Sequence, residues 1–269
     1  MNDKQLSIIE HIEELRKRLM IIVVFFVIAI IGGFFLASPI IQFLQNSDEA
    51  KHFTLNAFNV ADPMFIYLKV IIFIALVLIS PVILYQLWAF ISPGLNETER
   101  RVTLSYIPFA FVLFIAGISF SYFVLFPYLI SFMTNLSENL DIQQTIGVNE
   151  YFNFLFQITL PFGLVFQLPV VLLFFSRLGI LDPALLVKFR KYAYFGLFVL
   201  AAFITPPDLF SHLFTTVPLL ILYEISVFIS RVGHRKYLKA EQKRQQEEME
   251  AERRRILEEQ EEQKRLHAD

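Results

Sequence analysis

Long charge-free runs, rather than short alternations of polar and apolar residues, organise this chain. The first run begins at Leu19 and reads LMIIVVFFVIAIIGGFFLASPI, with an expected break near Pro39. The second spans Val70 to about Phe90, the third starts at Val102 and is expected to leave the membrane near Pro127, and the fourth fills the interval between Glu150 and Arg177. Two more flank the Pro206-Pro207-Asp208 turn, roughly Pro183–Thr205 and Leu209–Ser230. A helix needs about 20 apolar residues to cross a ~30 Å hydrocarbon core, and its backbone groups must be satisfied within the element. The pattern predicts an all-α fold of six transmembrane helices. The fifth is short: its charge-free part leaves about 14 helical residues, or ~20 Å. Either Lys188, Arg190 and Lys191 snorkel at its end, or the bilayer thins around it.

Ahead of the first span, Leu6, Ile9, Ile12, Leu15 and Leu19 recur at helical spacing, with Glu10, Glu13, Glu14, Lys17 and Arg18 on the other faces. This predicts an amphipathic helix lying on the membrane surface. Glu13–Lys17 and Glu14–Arg18 are well-oriented i,i+4 pairs. The carboxylates serve either to neutralise their own helix or to recognise a cationic ligand. At the other end, residues 231–269 hold 21 of the 48 charges. The chain thus divides into an amphipathic N-terminus (1–18), a membrane domain (19–230) and a charged tail (231–269) that is either a solvated helix or disordered.

Composition narrows the function classes. The chain is 56% hydrophobic and 18% charged, which leaves the body too few charges to cover a soluble surface. The net charge of -2 argues against nucleic acid as a partner. With no Cys and five scattered His, neither a metal site nor a cofactor is expected. Phosphate-loop, dinucleotide and nucleophile-elbow motifs are absent, so no enzyme activity is expected. Lys and Arg fall 21 on one side of the membrane and 2 on the other. This asymmetry predicts that both termini are cytoplasmic.

Several polar residues interrupt the apolar runs. Gln157 and Gln167 lie within the fourth span, where amides bond either to another helix of the same chain or to a partner. Gln167 precedes Leu168-Pro169, which predicts a kink. Asp208 is placed to cap the last span, with His212 one turn on. Glu224 lies about 10 Å from the cytoplasmic end by helical rise and is expected to snorkel. Asp62-Pro63 is expected to supply an N-cap and a first-turn proline for the second span. In the loop WAFISPGLNETERRVTL, Asn96 and Glu99 have the spacing of a capping box. Glu97 and Glu99 are also acids on a face otherwise dominated by Lys and Arg.

Four segments, in order, resemble the TatC family, the core membrane subunits of the twin-arginine protein translocase. They are HIEELRKRL (11–19), SPVILYQLWAFISPGLNETERR (80–101), FGLVFQLPV (162–170) and TPPDLFSH (205–212). The resemblance implies a concave, glove-like arrangement of helices in the bacterial cell membrane. It also implies binding of twin-arginine signal peptides on folded precursors, assembly with TatA/TatB-type single-span proteins, self-association, and transport driven by the protonmotive force. The positions matching the family's signal-recognition surface are Glu14, Arg16, Arg18, Glu99, Arg100 and Arg101. Many members carry Glu where this chain has Gln167. A membrane scaffold or a secondary transporter without ATPase activity is the alternative reading.

Overall fold

The computed structural model describes residues 8–47, 55–92, 100, 103–205 and 208–266. These residues are almost wholly helical. In chain order the helices are α1 (Ile8–Gln45), α2 (Asp62–Ile91), α3 (Tyr106–Phe120), α4 (Phe126–Asn139), α5 (Val148–Val165), α6 (Leu168–Arg177), α7 (Pro183–Lys188), α8 (Arg190–Ile204) and α9 (Leu209–Leu266). A five-residue π-helical stretch, Ser121–Leu125, joins α3 to α4. Among the described residues, five helical segments are long and apolar enough to cross a bilayer: Ile12–Gln45, Asp62–Ile91, Tyr106–Asn139, Val148–Arg177 and Leu209–Glu258.

The expected fifth span is divided at Phe189 into α7 and α8. At 15 residues α8 rises only about 22 Å. The shortness anticipated from the charged flank is therefore present in the helix itself.

Packing is uneven. Tyr151, Phe152, Leu155, Ile158 and Phe162 of α5 are nearly inaccessible and form the centre of the core with Val70, Leu125, Phe126, Leu129, Ala201 and Leu219. By contrast α1 leaves Val23, Val24, Ile28, Ile31 and Phe35 exposed, as a helix facing lipid does. It meets α2 at Gly33, where an added Cβ would stand 2.8 Å from the Ile71 carbonyl oxygen. Small residues permit such close helix crossings.

Three local expectations need correction. Helix α1 runs through Pro39 to Gln45 without breaking. The third span does not end near Pro127, and its helix continues to Asn139. A proline ring clashes with the carbonyl four residues back, here Phe123, and that residue lies in the π-helical stretch, whose wider i→i+5 turn displaces the carbonyl. Asp62 is the first residue of α2 rather than its N-cap. Its Oδ2 accepts from the backbone N–H groups of Phe58 (3.0 Å) and Asn59 (2.8 Å), so it ties down the turn before the helix.

Of the two forms left open for the tail, the helix is the one present, and it is continuous with the last span. The 58 residues of α9 show no interruption at Ser230. Ser176 and Ser230 hydroxyls are 2.6 Å apart, and Gly233 lies against Leu173. Gly179, with φ of +72°, leaves no room for a Cβ beneath the Tyr237 ring. Side-chain packing between α9 and the end of α6 thus extends to Tyr237.

Candidate functional site

The N-terminal part of α1, the last turns of α2, Arg100 and the end of α6 gather at one end of the bundle. Glu14 forms an ion pair with the Arg18 guanidinium one turn on, as the i,i+4 spacing predicts. Arg18 Nη1 also donates to Gln86 Oε1 at 3.3 Å, which ties α1 to α2. Gln86 is buried at 8% exposure, and the Glu14 and Arg18 side chains are about one-fifth exposed. In this half-shielded position a carboxylate already holds a guanidinium. Arg16 is exposed nearby.

Two residues beyond Gln86, and so about 200° around the helix, α2 presents Trp88 on its other side. Trp88 Nε1 donates to Thr103 Oγ1 at 2.9 Å, and the Arg100 guanidinium lies 5.9 Å from the Trp88 ring centre. Arg18 and Arg100 therefore approach α2 from opposite sides at similar height. Glu99 and Arg101, with the capping box that Asn96 and Glu99 were expected to form, lie outside the described residues.

Below Trp88 is a pocket of about 260 Å³ between α2, α3 and α6. Gln167 lines it and donates from Nε2 to the Ala110 carbonyl at 3.1 Å, across to α3. Its Oε1 is buried without a partner among the described residues. The amide is thus engaged within the chain. The break between α5 and α6 falls at Phe166–Gln167, where the Leu168-Pro169 pair predicted a kink.

The remaining intramembrane candidates lie apart from this end or are satisfied internally. Asp208 Oδ1 accepts from the Ser211 backbone N–H at 2.7 Å, the expected cap of α9. Glu224 does not depend on snorkelling. Its Oε2 pairs with Arg190 Nη2 at 2.6 Å, and its Oε1 accepts from the Tyr194 hydroxyl at 2.5 Å, both from α8. Gln157 Nε2 donates to the Phe203 carbonyl at 3.1 Å. Short α8 is thereby held at two heights by polar contacts with α5 and α9.

Sequence reasoning missed Gln86 and Trp88. Both carried a signal: Gln86 is a strong polar group within the apolar run from Val70 to Phe90, and Trp88 is the only tryptophan.

A polytopic helical membrane protein, with its arginines gathered at one end and no catalytic constellation among its described residues, is the class these features define. Comparison with known proteins narrows it. The family described as Sec-independent protein translocase protein (TatC) matches residues 10–218. The chain is 59% identical over 240 residues to the Sec-independent protein translocase protein TatCy of Bacillus subtilis (strain 168), covering 89% of this chain and 94% of the relative. It is 56% identical over 247 residues to the TatC of Halalkalibacterium halodurans, covering 92% and 98%. A crystal structure described as the twin arginine translocase receptor TatC superposes with a TM-score of 0.74 at 32% identity, covering 83% of this chain and 99% of that one. The chain belongs to the TatC family and is a multi-pass component of a Sec-independent protein translocase.

Proposed function

We propose that this chain is the receptor for twin-arginine signal peptides in a translocase of the bacterial cell membrane. It acts with TatA/TatB-type single-span partners and draws on the protonmotive force to export folded precursors. In this reading α8 completes six spans, both termini are cytoplasmic, residues 19–230 form the membrane domain, and the arginine-rich end faces the cytoplasm. Glu14, Arg16, Arg18, Glu99, Arg100 and Arg101 form the recognition surface.

The observation that carries the reading is the Glu14–Arg18–Gln86 arrangement. A guanidinium is planar, permanently charged and matched to a carboxylate's two oxygens. The end of α1 already holds one in a site of reduced solvent screening. An incoming arginine would compete for Glu14 and meet Glu99 as a second acceptor. The solved relative is described as a receptor, which supports the same assignment.

Photocrosslinking of a twin-arginine signal peptide to the purified protein tests it. Glu99→Gln keeps the capacity to cap a helix but removes the charge, so crosslinking should fall about tenfold or more, as loss of one charge-assisted bond requires. Unchanged crosslinking in both Glu99→Gln and Glu14→Gln would remove these carboxylates from the site. Orientation is tested separately, on a chain without native Cys. Exposed positions serve best: Glu138→Cys should react with an impermeant maleimide from outside the cell, and Met249→Cys should not.

A further inference from the structure

Four polar residues gather at the start of α9 with bonding capacity to spare. Ser211, His212 and Thr215 share one face of the helix by their spacing. The Asp208 carboxylate folds over that first turn, because its Oδ1 accepts from the Ser211 backbone N–H. Ser211 and Thr215 are fully inaccessible. Asp208 Oδ2, Ser211 Oγ, His212 Nδ1 and Thr215 Oγ1 are all buried with no partner among the described residues. Pro206 and Pro207, just ahead of the carboxylate, have no N–H to offer it.

The cluster is recessed. Phe210 packs on Phe132 of α4, and Phe214 stacks on Tyr128. From Phe132, α4 runs on to Asn139, about 10 Å further. On the α5 side, Gln157 meets the Phe203 carbonyl one turn inward of Asn153, which with Asn149 holds Lys69. The turn between α8 and α9 therefore stops short of the end that its neighbours form. It lies close to water, yet helices flank it.

A buried carboxylate oxygen without a partner is costly, and the chemistry of the four groups selects what relieves it. An anion would be repelled by Asp208. An apolar group would leave every one of the four unpaired. A multivalent metal would find a single carboxylate, and no three His, Asp or Glu gather among the described residues. A proton fits. Carried by His212, it makes Nδ1 a charged donor facing an acceptor, so hydrogen bond and counter-charge arrive together. Side chains on a helix lean toward its N-terminus, which brings His212 back over Asp208 one turn earlier. The two hydroxyls can donate or accept, and so suit the imidazole in either state.

Other ionisable groups are further off. His212 stands edge-to-face with Phe198 of α8, at 4.2 Å. Tyr194 and Arg190 follow one and two turns away on that helix, both engaged by Glu224. On α4 the nearest are Tyr128 and Glu138, and the charges of α6 and α7, Arg177 and Lys188, lie at the opposite end. We infer that His212 and Asp208 form a proton-binding site, His212 taking the proton and Asp208 serving as its counter-ion. Any part it plays in transport rests on the protonmotive reading above, whereas binding itself is measured on the purified protein and stands apart from that reading.

The test is ¹⁵N NMR of the full-length protein in nanodiscs, with histidine labelled at the ring nitrogens. Of the five histidines, the signal lost in His212→Gln is that of His212. It should convert reversibly to the imidazolium pattern as the pH is lowered. Asn caps a helix as well as Asp does, so Asp208→Asn should keep the fold, read as an unchanged unfolding midpoint. It should weaken proton binding by His212 about tenfold or more, as loss of an adjacent opposite charge requires. The double variant Ser211→Ala, Thr215→Val should weaken it less, about threefold. A His212 signal that stays neutral wherever the fold persists would mean that water or a partner's side chain satisfies the cluster, and would overturn the proposal. Equal proton affinity in the wild type and Asp208→Asn would overturn it as well.

Discussion

The two ends of the bundle handle charge in opposite ways. At the end where α2 begins, Asp62 and Lys69 are held by neutral partners. Asp62 accepts two backbone N–H groups, and Lys69 Nζ donates to Asn149 Oδ1 and Asn153 Oδ1, each at 2.6 Å. Asn56 exchanges backbone bonds with Ile146 and Val148, which ties the segment before α2 to the start of α5. At the other end, Arg18 Nε, Arg177 Nη1 and Arg190 Nε are buried without partners among the described residues. Asp62 and Lys69 form a clamp that holds α2 to the turn before it and to α5. The second end keeps guanidinium N–H groups that no described residue accepts.

This contrast predicts that substitutions at the clamp cost stability, whereas those at the arginine end cost binding. The largest stability effect is expected for Lys69→Met. Removing two charge-assisted bonds should lower unfolding stability in detergent by about 2 kcal/mol. Signal-peptide crosslinking of the protein that remains folded should be unchanged, and a stable variant that fails to bind would erase the distinction between the ends. Gln167→Leu comes next. It deletes the α3–α6 bond in lipid, a loss of about 1 kcal/mol measured by thermal unfolding. Because the amide is engaged inside the chain, co-purification of a single-span partner should follow stability rather than drop independently.

Smaller still is Glu14→Gln, which removes an i,i+4 pair worth about 0.5 kcal/mol or less. Its midpoint should barely move while crosslinking falls. Truncation after Lys239 should be silent in both stability and transport. Truncation after Ser230 should not, because it removes the packing of Gly233 and Tyr237 on the α6 end. Equal tolerance of the two truncations would show that this packing contributes nothing.

Hydropathy made the long spans legible, because a bilayer imposes a length and a composition on every helix that crosses it. Local chemistry at fixed spacing was legible as well: the Glu14–Arg18 pair, the Asp208 cap and the break beside Gln167 all follow from residues within four positions. What stayed hidden depends on partners distant in sequence. Arg18 meets Gln86 across 68 positions, and Glu224 finds Arg190 and Tyr194 across 34 and 30. A carboxylate near a helix end is expected to reach for water only while its neighbour on the next helix is unknown. The π-helical turn before Pro127 was hidden for another reason. It is a change of pitch inside an apolar run, and hydropathy is blind to pitch. Likewise the candidate site was only partly visible: the acids stood out by charge, whereas Gln86 and Trp88 acquire their place from the helices beside them.

Helix α9 continues from the membrane to Leu266 without a joint. Beyond Ser230 it extends about 54 Å at 1.5 Å per residue. A rod of that length is a pointer. A tilt of about 10° at its base, where it bears on α6 and α8, sweeps the tip through roughly 9 Å. A rearrangement too small to see among packed spans becomes a displacement easily measured by a spectroscopic label near Leu257, well clear of the binding end.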